Sequence, residues 1–260
     1  MLRFLVAIDH TVESTFGLRA ACSLAREKGG ALEALHVIDP TAKTLDYGAG
    51  WAIHSYKKER LREAYADMED IITSESHTCE STPDLKVVFG EIVREIATEV
   101  AKGSFDVLFM GSVHPLEGPH QGVLLKLLSK VPCPVIAVKH YRPLREVLLL
   151  VGEGEAAEGA VSKTDLLLNG LSVHVNIADV AKTERKTTAH ALLDKSREKL
   201  LASGFETSVL TLSGDPIHEV LESARHHDLV IMGWRRPGKP DPLALAMLQS
   251  MPAPLMICPG

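Results

Sequence analysis

Apolar runs of four to eight residues alternate along the chain with stretches in which apolar positions recur every three or four residues. The first run, Phe4 to Ile8, reads as a strand, and Ser14 to Lys28 reads as a helix with Phe16, Leu18, Ala21, Cys22, Leu24 and Ala25 on one stripe. Gly29-Gly30 stops that helix, and Ala31 to Ile38 forms the next strand. A segment from Asp39 to Ser55, punctuated by Pro40, Gly48 and Gly50, precedes a charged amphipathic helix predicted from about Tyr56 to Ser76. LKVVF, a helix over Glu91 to Ala101 with Gly103 just beyond it, a strand over Val107 to Met110, a helix over Val123 to Ser129 and a strand over Val135 to Val138 follow.

The same order then recurs. VLLLV at Val147, a helix around Ala156 to Leu168, VHVNIADV, a helix from about Thr188 to Ala202 ended by Gly204, and TSVLTL lead to a further helix. Asp215-Pro216 marks that helix's start, a capping carboxylate followed by proline at a position that needs no N–H. FDVLFMGS with PCPVIAVK in the first copy matches HDLVIMGW with APLMICPG in the second. An internal repeat this long describes two domains, predicted at residues 1–142 and 143–260, joined by the short polar connector Lys139 to Arg145. Strands apolar on both faces alternate with helices. The predicted class is therefore α/β: two doubly wound parallel five-stranded sheets, each with helices on both faces.

Composition narrows the function classes. At 45% hydrophobic and 24% charged residues the chain sustains two cores. Lys and Arg number 16 against 19 Asp and Glu in the first part and 12 against 15 in the second, so neither half has the basic field of a nucleic-acid binder. The apolar start is too short for a signal or membrane segment, which predicts no membrane partner. Cys22, Cys79, Cys133 and Cys258 show no C-x-x-C and no spacing that suggests zinc or a disulfide framework, and a reducing cytoplasm is the expected home.

VAIDHTVES, ALHVIDP, FDVLFMGS and PCPVIAV, with GDPIHEV, HDLVIMG and APLMICP in the second copy, resemble the universal stress protein family over essentially the whole chain. The resemblance implies flavodoxin-like or adenine-nucleotide-hydrolase-like sheets, with a ligand at the carboxyl ends of the strands. It also implies a pseudo-symmetric pair of domains meeting at their last strands, Val135 to Val138 and Leu255 to Cys258, each an apolar edge that needs cover. Further association into a homodimer and an unidentified regulatory protein partner belong to the same expectation.

Many members of that family bind ATP or AMP through a loop resembling G-x-x-G, nine residues, then G-[S/T]. Glycines admit the phosphate oxygens to the backbone, and the following helix start supplies N–H donors. The nucleotide-binding candidates carried over are Asp9, Val37, Met110, Gly111, Ser112, His114, Gly122 and Val123. The loop itself departs from the pattern. His114 stands for the second glycine, Gln121-Gly122 for Gly-Ser, and only the six residues Pro115 to His120 lie between. In the second copy Gly152 replaces the strand-end Asp9, Arg236 the second glycine and Asp241-Pro242 the Gly-Ser, which places a carboxylate where phosphate would sit.

The leading expectation is a stress-response regulator or adaptor that acts by binding, with degenerate nucleotide loops and no catalytic residue. ATP or AMP binding in the first copy is the alternative, with metal held by His10, His114 and His120 beside Asp9 and Glu117 as a third reading. Asp9 fits either a ribose hydroxyl or the cap of its own loop. Cys133, between prolines, is expected to pack. His226-His227 is expected to meet the closing carbonyls of its helix. The aromatics Tyr47, Trp51 and Tyr56 suggest a cover over a ligand or partner domain.

Overall fold

The computed structural model describes all residues except 40–49, 80–81, 112–121, 153–154, 181–185, 213–214, 235–241 and 251. The first half runs β1 (Arg3–Ala7), α1 (Val12–Lys28), β2 (Ala31–Ile38), α2 (Gly50–Ser74), β3 (Asp84–Phe89), α3 (Ile92–Gly103), β4 (Val107–Gly111), α4 (Val123–Lys130) and β5 (Val135–Val138). The second repeats it: β6 (Glu146–Val151), α5 (Glu155–Leu168), β7 (His174–Asp179), α6 (Lys186–Ala202), β8 (Glu206–Leu210), α7 (Pro216–Ala224), β9 (Leu229–Trp234), α8 (Pro242–Ser250) and β10 (Leu255–Pro259).

The two sets of five strands are one sheet, ordered β3-β2-β1-β4-β5-β10-β9-β6-β7-β8. Within each half every pairing is parallel. The halves meet through β5 and β10, which pair antiparallel with Met256 opposite Ile136. That pairing gives each terminal strand the hydrogen-bonding neighbour it would otherwise lack. Polar contacts flank the seam, where Lys139 Nζ donates to the Gln249 carbonyl at 3.3 Å and Lys28 Nζ to that of Asn169 at 2.5 Å.

Strand residues alternate between two apolar layers that run through both halves. Phe4, Val6 and Phe109 face the layer of α1, α2, α5 and α6, while Leu5, Leu108, Leu148 and Leu150 face that of α3, α4, α7 and α8. Phe4 and Phe109 meet edge to face at 6.1 Å. Burying each such side chain contributes about 1.5–3 kcal/mol.

Several boundaries differ from the sequence reading. Helix α1 begins at Val12 because the Thr11 hydroxyl caps it, accepting from the Ser14 N–H. Helix α2 starts at Gly50, inside the stretch that its glycines marked as loop. The left-handed residue ending α3 is Ser104, not Gly103; a Cβ on Gly103 would lie 2.1 Å from the Phe105 ring, so the glycine admits that ring. Asp215 caps α7 as expected, its carboxylate accepting from the His218 N–H. His227 Nδ1 donates to the Ser223 carbonyl at 2.7 Å.

The cysteine expectation is corrected for one pair. Cys22 and Cys79 are joined by a disulfide between Cα atoms 4.5 Å apart. No spacing rule links residues so distant in sequence; the pairing depends on α1 lying against the short 3-10 turn Ser76–Thr78 that follows α2.

Candidate functional site

In each half the strand order reverses beside the first strand, between β1 and β4 and between β6 and β9. The crevice outside the carboxyl ends at such a reversal is the general ligand position of open α/β sheets. The first-half candidates converge on this edge. Ala7 of β1 is in register with Met110 of β4, which brings the turn at Asp9 beside Gly111, and Val37 lies near the same end of the neighbouring β2. Val37, Met110 and Val123 all border the apolar layer beneath α3 and α4.

The turn between β1 and α1 is a closed polar cluster. Asp9 Oδ1 accepts from the Thr11 N–H at 2.8 Å and from the Thr11 hydroxyl at 2.5 Å. The Asp9 N–H donates to Ser14 Oγ at 2.8 Å, and Ser14 is buried. One carboxylate oxygen thus shapes its own turn, the Asx arrangement that short acidic side chains favour. Thr11 and Ser14 were absent from the sequence candidates, although a hydroxyl three residues before the helix interior is a readable cap signal.

Gly111 has a steric role. A Cβ there would lie 2.4 Å from the Ser14 backbone N and 2.6 Å from the Glu13 carbonyl carbon, so only glycine lets β4 pass this close to the start of α1. Gly233 repeats the relation in the second half, where a Cβ would meet the Ala156 carbonyl oxygen at 2.2 Å. Helix packing thus requires a glycine after the methionine in both halves.

Gly122, in the left-handed region at φ 81°, precedes α4 without a side-chain cap, which leaves the start of that helix to other acceptors. Ser112 and His114 lie outside the described residues, as do His120, Glu117, Tyr47 and the second-half substitutes Arg236 and Asp241. Among the described residues no group of three or more His, Cys, Asp and Glu side chains could hold a metal ion.

Beneath the edge, His36 is buried and its Nδ1–H donates to the Ile8 carbonyl at 2.8 Å, with the His10 ring 5.8 Å away. Burial, reinforced by His10, holds its pKa below the ordinary histidine value, against the raising pull of the Ile8 carbonyl, Asp9 and Asp67. Cys133 is buried, as expected, and loss of water pushes its thiol up to about 11. A separate apolar cleft lies at the seam between the halves, lined by Leu24, Phe109, Ile136, Leu167 and Met256 and not by the candidates at the strand ends.

The sequence matches the universal stress protein family over residues 1–139. The fold is similar to that of a universal stress protein from Archaeoglobus fulgidus, at 20% identity over 99% of this chain and 98% of that one, with a TM-score of 0.75. A functionally unknown protein from Pseudomonas aeruginosa is also similar, at 17% identity over 99% of this chain and 92% of that one, with a TM-score of 0.59. At such identities the likeness concerns the fold. No curated protein matches the sequence. Among the described residues no helix is long and apolar enough to cross a membrane.

Proposed function

Because the chain belongs to the universal stress protein family, we propose that it is a cytoplasmic stress-response regulator or adaptor acting by binding and not by catalysis. A regulatory protein is the proposed partner, and the second half serves as the structural partner of the first. The observation that carries this reading is the shared packing role of Gly111 and Gly233. The most recognisable remnant of the nucleotide loop persists for a steric reason, even in the half whose strand-end carboxylate has become Gly152. The rest of the loop is shortened in both copies.

One feature favours the second reading, ATP or AMP binding by the first half. Asp9, Val37 and the start of α4, which has no side-chain cap among the described residues, stand at one strand edge, where a ribose and a phosphate would find an acceptor and backbone donors. Denaturing freshly purified protein and identifying released small molecules by mass spectrometry, followed by calorimetric titration with ATP and AMP, separates the two. No released nucleotide and no saturable binding is the expected result. Retained or tightly bound nucleotide would move the function to the first-half crevice.

A further inference from the structure

The first half carries a covalent clasp that its repeat does without. Arg19, Cys22 and Arg26, spaced three and four residues apart on α1, share the helix face toward the turn Ser76–Thr78. Arg19 Nη2 donates to Glu75 Oε1 at 2.8 Å while its Nε pairs with the other carboxylate oxygen, and Arg26 Nη1 donates to the Thr78 carbonyl at 3.3 Å. Cys22 sits between these contacts, bonded to Cys79 across a sequence separation of 57. In the second half the corresponding positions are Ser162 and Asp165 on α5 and Asn169 just beyond its end, with Asp165 accepting from Asn169 Nδ2 at 3.2 Å. The same architecture thus forms there without a crosslink at this place.

We propose that Cys22 and Cys79 are a reversible redox site, in which Cys79 reacts first with a hydroperoxide and Cys22 closes the disulfide. Accessibility sets the order, since Cys22 is 1% exposed while Cys79 is only partly buried at the end of its turn. The Arg26 guanidinium is held on the carbonyl of the residue before Cys79, so a cation stands at that end of the turn. The ion pair and the Arg26 contact are independent of the sulfur bond, so they keep the two sulfurs adjacent when it is open. Cys133 and Cys258, buried and not joined to another cysteine, offer neither access nor a resolving partner.

The Cys79 thiolate attacks one peroxide oxygen; the O–O bond breaks and the departing oxygen leaves as water after protonation, with Cys79 now a sulfenic acid. Cys22, losing its proton, attacks that sulfur, the S–S bond forms, and the S–O bond breaks to release a second water. Two thiols and one hydrogen peroxide thus give one disulfide and two waters, a two-electron oxidation matched by a two-electron reduction. A dithiol reductant reverses it by exchange, entering at Cys79.

The test uses the whole unmodified chain. It is reduced with dithiothreitol, freed of reductant and exposed to one equivalent of hydrogen peroxide, with thiols counted and non-reduced peptides mapped by mass spectrometry. The expected result is loss of two thiols per chain, a single Cys22 to Cys79 crosslink, unmodified Cys133 and Cys258, and full reversal by dithiothreitol without unfolding. A crosslink that yields to dithiothreitol only after denaturation, or a Cys22 and Cys79 that survive peroxide as thiols, would overturn the proposal. In Cys22→Ser, shown to be folded by circular dichroism, the sulfenic acid should persist on Cys79 and be trapped by dimedone. Label on any other cysteine instead would also overturn it.

Discussion

The two strand-to-helix turns at the carboxyl edge, one after β1 and one after β6, share a frame and differ in chemistry. In both, the glycine of the neighbouring Met-Gly strand, Gly111 or Gly233, lets the start of α1 or α5 approach within what a methyl group would forbid. In the first, Asp9, Thr11 and Ser14 fill the turn with mutual hydrogen bonds. In the second, Gly152 and Ala157 stand at the places of Asp9 and Ser14 and carry none of those polar groups. Steric demands that hold α/β layers together are thus met twice, whereas the polar cluster of the turn is kept once. A glycine kept in both halves is evidence of packing; the carboxylate and hydroxyls kept in one half are where the chemistry of the halves parts.

The strongest way to break that comparison is to test the glycines themselves. Gly111→Ala and Gly233→Ala each press a Cβ onto backbone atoms that cannot rotate away, and each should cost about 3 kcal/mol in urea unfolding. Gly17→Ala, whose Cβ would sit 3.2 Å from the Gly111 N and 3.2 Å from the Met110 carbonyl carbon, should cost less than about 1 kcal/mol, since Ala160 occupies the matching place on α5. A harmless Gly233→Ala would show that the shared frame is not shared. Loss of ligand binding in Gly111→Ala would say nothing about phosphate contact, because the fold suffers first.

A smaller effect sharpens the contrast along the helices. Glu75 is buried and Arg19 is half-buried, so Arg19→Ala leaves a carboxylate away from water without its cation. The expected cost is about 2 kcal/mol, below that of a fully buried pair because solvent reaches the guanidinium. Ser162→Ala at the matching place on α5 removes a hydroxyl that donates to the Glu158 carbonyl and accepts from Lys199 Nζ on an exposed face, and should fall within about 0.5 kcal/mol. Equal costs would remove the distinction between the two helix faces.

Periodicity made the element order legible because each strand is apolar on both faces and each helix carries one stripe. The junction of β5 with β10 was legible for a related reason, since PCPVIAV and APLMICP are apolar edges with nothing in their own half to cover them. What escaped was information carried by distance in sequence. Arg19 with Glu75 and Cys22 with Cys79 are local to no pattern and meet only because α1 packs beside the end of α2. The start of α2 escaped because Gly48 and Gly50 read as loop, although a glycine can begin a helix that later residues sustain. At the candidate site the residue types at the strand ends were legible, but whether Gly111 answers a phosphate or a helix required knowing what its missing Cβ would strike.

The finest test of the comparison is by pH, because His36 is matched by Asp179 in the second half. Burial lowers the folded-state pKa of His36, so the unfolded chain takes up its proton first as the solution acidifies. The stability this neutral histidine provides is complete above the unfolded value near 6.5 and is lost progressively as pH falls toward the folded one. His36→Asn keeps an N–H able to reach the Ile8 carbonyl but has nothing to protonate. It should flatten the fall in stability between pH 7.5 and 5.5, with a smaller change than that of Arg19→Ala. Hydrogen exchange read peptide by peptide should place the acid sensitivity around β1 and β2 and not around β6 and β7. An unchanged pH profile in His36→Asn would show that its neutral burial does not distinguish the halves, and would leave the polar turn at Asp9 and the clasp at Cys22 as the chemistry that does.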